Sequence, residues 1–112
     1  MTAAAYNLTI DQGSDFALDL VVKEDNAVKN LTGYSGRSQM RTTKSASTVA
    51  GSFTVTVTNA SAGEMKLELS NATSSGMTAG KYYYDLEIYT SGNTVVSRLL
   101  EGTVILTPEV TR

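Results

Sequence analysis

Carboxylate and tyrosine side chains alternate along one stretch of the chain. They occupy every second position of residues 83–89, as Tyr83, Asp85, Glu87 and Tyr89. Side chains two apart on a strand lie on the same face. A pair of neighbouring carboxyl groups, such as those of Asp85 and Glu87, is what a glycosidase uses for catalysis. The chain has no histidine to activate a serine nucleophile. Because arginines are expected beside the carboxyls, we expect both to titrate normally and predict that the protein is not an enzyme.

Three aspartates near the start of the chain are the other candidates for chemistry: Asp11, Asp15 and Asp19. Calcium requires several oxygen ligands at once. Side chains four apart on a strand lie about 13 Å from one another, which is too far for one ion. The sequence therefore predicts no metal site, and no motif in it predicts a cofactor.

Composition excludes several classes of partner. The chain has 112 residues, a formal net charge of -2, a pI of about 5.0 and no cysteine. This weakly acidic balance offers no attraction to nucleic acid or anionic lipid. No apolar run is long enough to cross a membrane, and the segment 1–5 lacks the basic start and apolar stretch of a signal peptide. We expect a protein without nucleic-acid or membrane partners that is not secreted by a signal peptide.

Apolar residues at alternate positions predict the elements that hold these side chains. Strands with one buried face show this period of two, and several of them separated by turns indicate a sandwich or barrel. The sequence predicts an all-β fold, an immunoglobulin-like Greek-key β-sandwich of about seven strands, as a single domain over residues 1–112. The predicted strands cover about 6–10, 15–23, 34–41, 52–58, 64–70, 81–89 and 94–106.

Particular residues carry more local predictions. Gly13 indicates a bulge or crossover, and the small residues on the inward side of the third strand predict a close neighbour, expected to be an aromatic ring. Met77, in a connection with one short helical turn, is expected to plug the end of the core. Tyr82 is the candidate for a tyrosine that bonds back to the corner before its strand. Gly102 is expected to bulge the last strand, turning Leu99, Val104 and Leu106 inward.

The predicted third and sixth strands pair in this fold, and their outer faces then meet. The third strand presents Arg37, Gln39 and Arg41 beside the tyrosines and carboxyls of residues 83–89. One interpretation is a solvated face with ion pairs of small energy. The other is a protein interface, since exposed tyrosine and arginine are enriched there. A second interface candidate is Val110, which follows Pro108 and has no evident place in the core.

Several segments together resemble a known family. They are Tyr6-Asn-Leu-Thr-Ile-Asp-Gln-Gly13, Asn30-Leu-Thr-Gly-Tyr-Ser-Gly-Arg-Ser-Gln-Met-Arg41, Ala79-Gly-Lys-Tyr-Tyr-Tyr-Asp-Leu-Glu87, Leu99-Leu-Glu-Gly-Thr-Val104 and Pro108-Glu-Val-Thr-Arg112. Over nearly its whole length the chain resembles small β-sandwich virion proteins of tailed bacteriophages. Its first half is also similar to the N-terminal module of siphophage upper-baseplate proteins, which docks onto a tail.

The resemblance implies assembly in the tail, baseplate, neck or capsid decoration of a phage particle. It implies other virion proteins as partners, a homo-oligomer in the particle, and a virion assembled in the host cytoplasm. As a single sandwich without a fibre or receptor-binding extension, the chain is expected not to bind a host receptor directly. Two alternatives remain open: a carbohydrate- or receptor-binding module, and an intracellular regulatory binding domain.

Overall fold

The computed structural model describes residues 3–111 and is all-β, as the sequence predicts. Helical structure in this range is confined to α1 (Asn71–Ser75) and two 3₁₀ turns. Ten strands account for most of the rest. They are β1 (Ala4–Ala5), β2 (Leu8–Asp11), β3 (Phe16–Val21), β4 (Lys23–Glu24), β5 (Ala27–Val28), β6 (Tyr34–Arg41), β7 (Gly51–Asn59), β8 (Glu64–Leu69), β9 (Gly80–Thr90) and β10 (Val96–Thr107).

One curled sheet contains all of these strands except the β4–β5 hairpin. Its order is β1-β10-β9-β6-β7-β8-β3, and β2 pairs in parallel with the far end of β10. β7 connects the two halves of this sheet. Its first residues pair with β6, and from Thr54 onward it pairs with β8. We call β2, β10, β9 and β6 the first arm, and β7, β8 and β3 the second arm. Both arms contribute to a single hydrophobic core.

Alternation along the strands places the core as predicted. Leu67 and Leu86, one from each arm, are completely buried. The inward residues of β3, Phe16, Leu18 and Leu20, are only half buried, because β3 lies at the edge of the second arm and pairs only with β8. The chain crosses from β2 to β3 at Gly13, whose φ of 85° suits glycine, so the predicted crossover is confirmed.

The connection between β8 and β9 has the predicted form. It contains the short helix α1, and Met77 is buried at the end of the core. Tyr82 is buried as well, and its hydroxyl donates to the carbonyl oxygen of Thr78 at the corner before β9. The tyrosine corner is therefore confirmed, and its hydroxyl satisfies a backbone group that the corner would otherwise leave unpaired.

Two local predictions are wrong. The close neighbour of Gly36 on β6 is Val55 and not an aromatic ring. The bulge in β10 falls at Leu99, where the pairing with β9 shifts register, and not at Gly102. Gly102 instead admits the backbone of Tyr6, whose carbonyl lies where a Cβ would be. Leu99, Val104 and Leu106 do point inward as predicted.

Candidate protein interface

Three neighbouring strands build the predicted surface, with β9 in the middle. The pairing of β6 with β9 is confirmed, and it places Arg37 opposite Glu87 and Arg41 opposite Tyr83. On the other side, β10 places Glu101 opposite Asp85. The strands thus gather the predicted side chains on one outer surface, here called the β9 face. Its members are Arg37, Gln39, Arg41, Tyr83, Asp85, Glu87, Tyr89, Arg98 and Glu101.

Arg37 is held by three neighbours. Its Nε donates to Glu87 Oε1 at 2.9 Å and its Nη1 donates to Asn93 Oδ1 at 3.2 Å. Its guanidinium carbon lies 4.4 Å from the centre of the Tyr89 ring, within the range of a cation–π contact. These contacts pre-order the arginine and the tyrosine, so less side-chain entropy is lost when a partner binds there.

Asp85 lies at the centre of the β9 face. Arg98 Nε is 3.4 Å from Asp85 Oδ2, and Arg98 Nη1 is 3.6 Å from Glu101 Oε2. Burial, followed by the charge of Glu87, raises the pKa of the Asp85 carboxyl above its ordinary value, and Arg98 opposes the shift. The expectation that Asp85 titrates normally is therefore wrong, because the flanking side chains desolvate it.

Sequence reasoning missed Arg98 and Glu101. Both lie on β10, which the sequence places beside β9 through the turn at Ser91-Gly92-Asn93. A regular alternation inferred from Leu99 would point Glu101 inward, but the bulge at Leu99 reverses the phase. A bulge placed at Leu99 would have predicted Glu101, whereas Arg98 lies before the bulge and faces outward by regular alternation from Leu99.

One end of the β9 face is basic. Arg41 donates to the carbonyl of Ala46 at 2.9 Å and to Gln39 Oε1 at 3.1 Å. The Lys81 ammonium lies 5.2 Å from the centre of the Tyr83 ring. Within residues 3–111, neither cation has a carboxylate within 4.0 Å. Their charges are therefore available to an acidic partner.

A shallow groove of about 310 Å³ runs across this end of the face. Arg41, Tyr83 and Asp85 contribute to its lining, as does Lys44 from the loop after β6. Asp85 and Glu87 each face an arginine of a neighbouring strand. The groove can thus recognise a partner by charge and by ring contacts.

The remaining candidates lie outside the β9 face. Val110 is 90% exposed and follows the end of β10, as predicted from Pro108. The chain before it is held because the Glu109 amide donates to Gln12 Oε1 at 2.9 Å.

The three aspartates of the N-terminal region have separate neighbours. Asp11 accepts from the Thr107 hydroxyl at 2.8 Å. Asp15 accepts from the amide of Asn71 at 2.8 Å, and this hydrogen bond lowers the pKa of its carboxyl. Asp19 lies opposite Lys66 on the outer surface of the second arm. The three carboxyls therefore take part in different local contacts.

Comparison of the sequence with known protein families finds no match, and comparison with curated proteins finds no similar sequence. No helix within residues 3–111 is long and apolar enough to cross a membrane.

Proposed function

We propose that the protein is a structural component of a tailed-phage particle and acts by binding other virion proteins. The observation that carries the proposal is the strand register that joins Arg37, Tyr83 and Tyr89 on one outer surface. Arginine and tyrosine are the residues on which binding energy concentrates at interfaces. The resemblance to small phage virion proteins supplies the setting, a particle assembled in the host cytoplasm from many copies.

The finer fold assignment belongs to the same proposal. In immunoglobulin-like sandwiches, strands C, F and G form one sheet and strands B, E and D lie in the other. The first arm contains β6, β9 and β10 as neighbours, and the second arm contains β3, β8 and β7. This order and the Tyr82 corner support an immunoglobulin-like Greek key. The departure is β7, which pairs with both arms.

The alternative of a carbohydrate-binding module has less support. Tyr83 and Tyr89 are six residues apart on β9, a separation of about 20 Å along a strand. The two rings therefore do not form one stacking platform. Each ring already has a cation against it, Lys81 in one case and Arg37 in the other.

Incorporation into particles tests the proposal. A variant with Arg37→Ala and Tyr83→Ala removes two anchors of the β9 face and leaves the core intact. We expect the unaltered protein in purified particles by mass spectrometry and the variant strongly depleted from them. A matched control, Lys23→Ala with Val28→Ala, changes two exposed residues of the β4–β5 hairpin and should be incorporated normally.

Three outcomes would contradict the proposal: absence of the unaltered protein from particles, equal incorporation of the two variants, or glycan binding lost with Tyr83→Ala. Val110→Ser tests the second candidate, because a residue this exposed adds little to folding. If the tail packs on a neighbour, the variant keeps its melting temperature and loses incorporation.

A further inference from the structure

The two outer surfaces of the curled sheet carry opposite charge. The β9 face with the adjoining Lys44 and Lys81 has five basic and three acidic side chains. We call the outer surface of the second arm the β8 face. Its members are Asp15, Ala17, Asp19, Val21, Thr54, Thr56, Glu64, Lys66 and Glu68, of which four are acidic and one is basic. The β9 face with Lys44 and Lys81 is therefore net positive and the β8 face net negative, although the whole chain has a formal net charge of -2.

The carboxylates of the β9 face all form ion pairs with arginines of the same face, whereas several cations on or beside it have no carboxylate partner among residues 3–111. Asp85, Glu87 and Glu101 all lie within 4.0 Å of Arg37 or Arg98. Arg41, Lys44 and Lys81 have no carboxylate at that distance within residues 3–111. The free charge of this face is therefore positive and lies at its Tyr83 end.

The β8 face leaves the opposite charge free. In the described part of the chain, Asp19, Glu64 and Glu68 have no cation within 4.0 Å. A groove of about 390 Å³ opens on this face, with Asp15, Thr54 and Glu68 among its lining residues. The hydrogen bonds from Asn71 keep Asp15 ionised at this place. The groove can accept a long cationic side chain between two carboxylates.

We propose that the β9 face of one copy of this chain binds the β8 face of the next copy, with Arg41 and Lys81 directed at the carboxylates around the β8 groove. The inference rests on the proposed function, because it names the partner of the β9 face as a second copy. The two faces differ, so the contact is head-to-tail and generates a ring or a filament. The molecule measures 42 × 27 × 24 Å, so its broad faces offer roughly 1,000 Å² each, against about 800 Å² per partner in a stable interface.

Charge reversal on each face tests the inference with the isolated, full-length protein. Arg41→Glu with Lys81→Glu makes the β9 face repel the β8 face, and Glu64→Lys with Glu68→Lys does the same from the other side. We expect light scattering to show that the unaltered protein associates and that salt weakens the association. The reason is that the Debye length falls from about 10 Å at 0.1 M ionic strength to about 3 Å at 1 M. Each variant alone should be monomeric. An equimolar mixture should associate again, because every contact between the two different variants joins faces of opposite charge.

A control and two counter-results complete the test. Lys23→Glu with Asp25→Lys exchanges charges near the β4–β5 hairpin and should associate normally, and circular dichroism checks that every variant is folded. The inference is overturned if the unaltered protein stays monomeric at all concentrations, or if the mixture of folded variants stays monomeric. Self-association without incorporation into particles would refute only the phage setting. Incorporation without self-association would refute only the head-to-tail contact.

Discussion

The Cγ1 methyl of Val55 on β7 lies over Gly36 on β6, where a Cβ would be placed well inside 3.0 Å. β7 leaves β6 at this point: Phe53 still pairs with Ser38, and from Thr54 the strand pairs with β8. The missing side chain at Gly36 lets β7 bend over the core and start the second arm. One glycine thus permits the curl that gives the protein two outer faces.

Adding a methyl group at this crossing should destabilise the fold. We expect Gly36→Ala to lower the free energy of unfolding by about 1–3 kcal/mol, the usual cost of overpacking. The double variant with Val55→Ala should lose less unfolding free energy than the two single variants lose together. The reason is that Val55→Ala removes the methyl group that clashes with the new Cβ. Urea denaturation measures this coupling. Gly76→Ala is the control, because its Cβ meets only ordinary contacts, and strictly additive losses would contradict the explanation.

Gly102 plays a comparable part for the N-terminal strands. A Cβ there would lie against the carbonyl oxygen of Tyr6 and within 2.8 Å of Asn7 Oδ1. Gly102→Ala should therefore detach β1 and β2 from β10 while the rest of the sheet stays paired. The Tyr6 amide donates to the carbonyl oxygen of Glu101 at 2.9 Å. Hydrogen exchange should be faster at this amide in the variant and unchanged at the amides of β8. Unchanged protection at Tyr6 would rule this explanation out.

Tyr84 joins the same segment to the core. Its hydroxyl donates to the Tyr6 carbonyl at 2.6 Å, and burial raises its pKa to about 12. Tyr84→Phe should cost about 1 kcal/mol, the net value of one hydrogen bond. Tyr83 is the neighbouring tyrosine, and its hydroxyl does not bond the Tyr6 carbonyl, so Tyr83→Phe is the control.

The same pKa shift predicts how stability changes at alkaline pH. The unfolded chain loses the Tyr84 proton near pH 10 and the folded protein near 12, so the stability supplied by this group is full below pH 10 and falls between pH 10 and 12. Chemical denaturation from pH 10 to 12 should show a smaller loss of unfolding free energy in Tyr84→Phe than in the unaltered protein. An identical decline in both proteins would contradict the assignment.

Asp85 and Glu87 should respond oppositely to removal of their charge. The raised pKa of Asp85 means that the folded state disfavours its ionised form at neutral pH. We expect Asp85→Asn to be at least as stable as the unaltered protein at pH 7, with the difference closing as the pH falls through the folded pKa of Asp85. Glu87→Gln removes the ion pair with Arg37 and should cost about 0.2–1 kcal/mol. Thermal melts from pH 3 to 7 measure both, and a clear loss for Asp85→Asn would contradict the interpretation.

The pairing of β6 with β9 was expected from the immunoglobulin-like fold, in which those two strands are neighbours. Alternation and turn residues were sufficient to predict the main strands and the Tyr82 corner. Those features depend on local sequence, since a period of two and a glycine before a tyrosine are visible in short windows. The bend of β7 over Gly36 and the bulge at Leu99 depend on which strand packs where. They could not be read locally, and for that reason Glu101 was missed on the β9 face.

Cross-linking of lysines in purified particles tests the central claim most directly, because the chain carries lysines on and away from the β9 face. Lys44 lines its groove and Lys81 lies against the Tyr83 ring, whereas Lys23 lies in β4 of the β4–β5 hairpin and Lys29 follows β5. Particles assembled from mixed isotope-labelled copies separate links between chains from links within one. We predict links between chains from Lys44 and Lys81. Absence of the protein from particles, or links between chains confined to Lys23 and Lys29, would contradict a role in assembly through the β9 face.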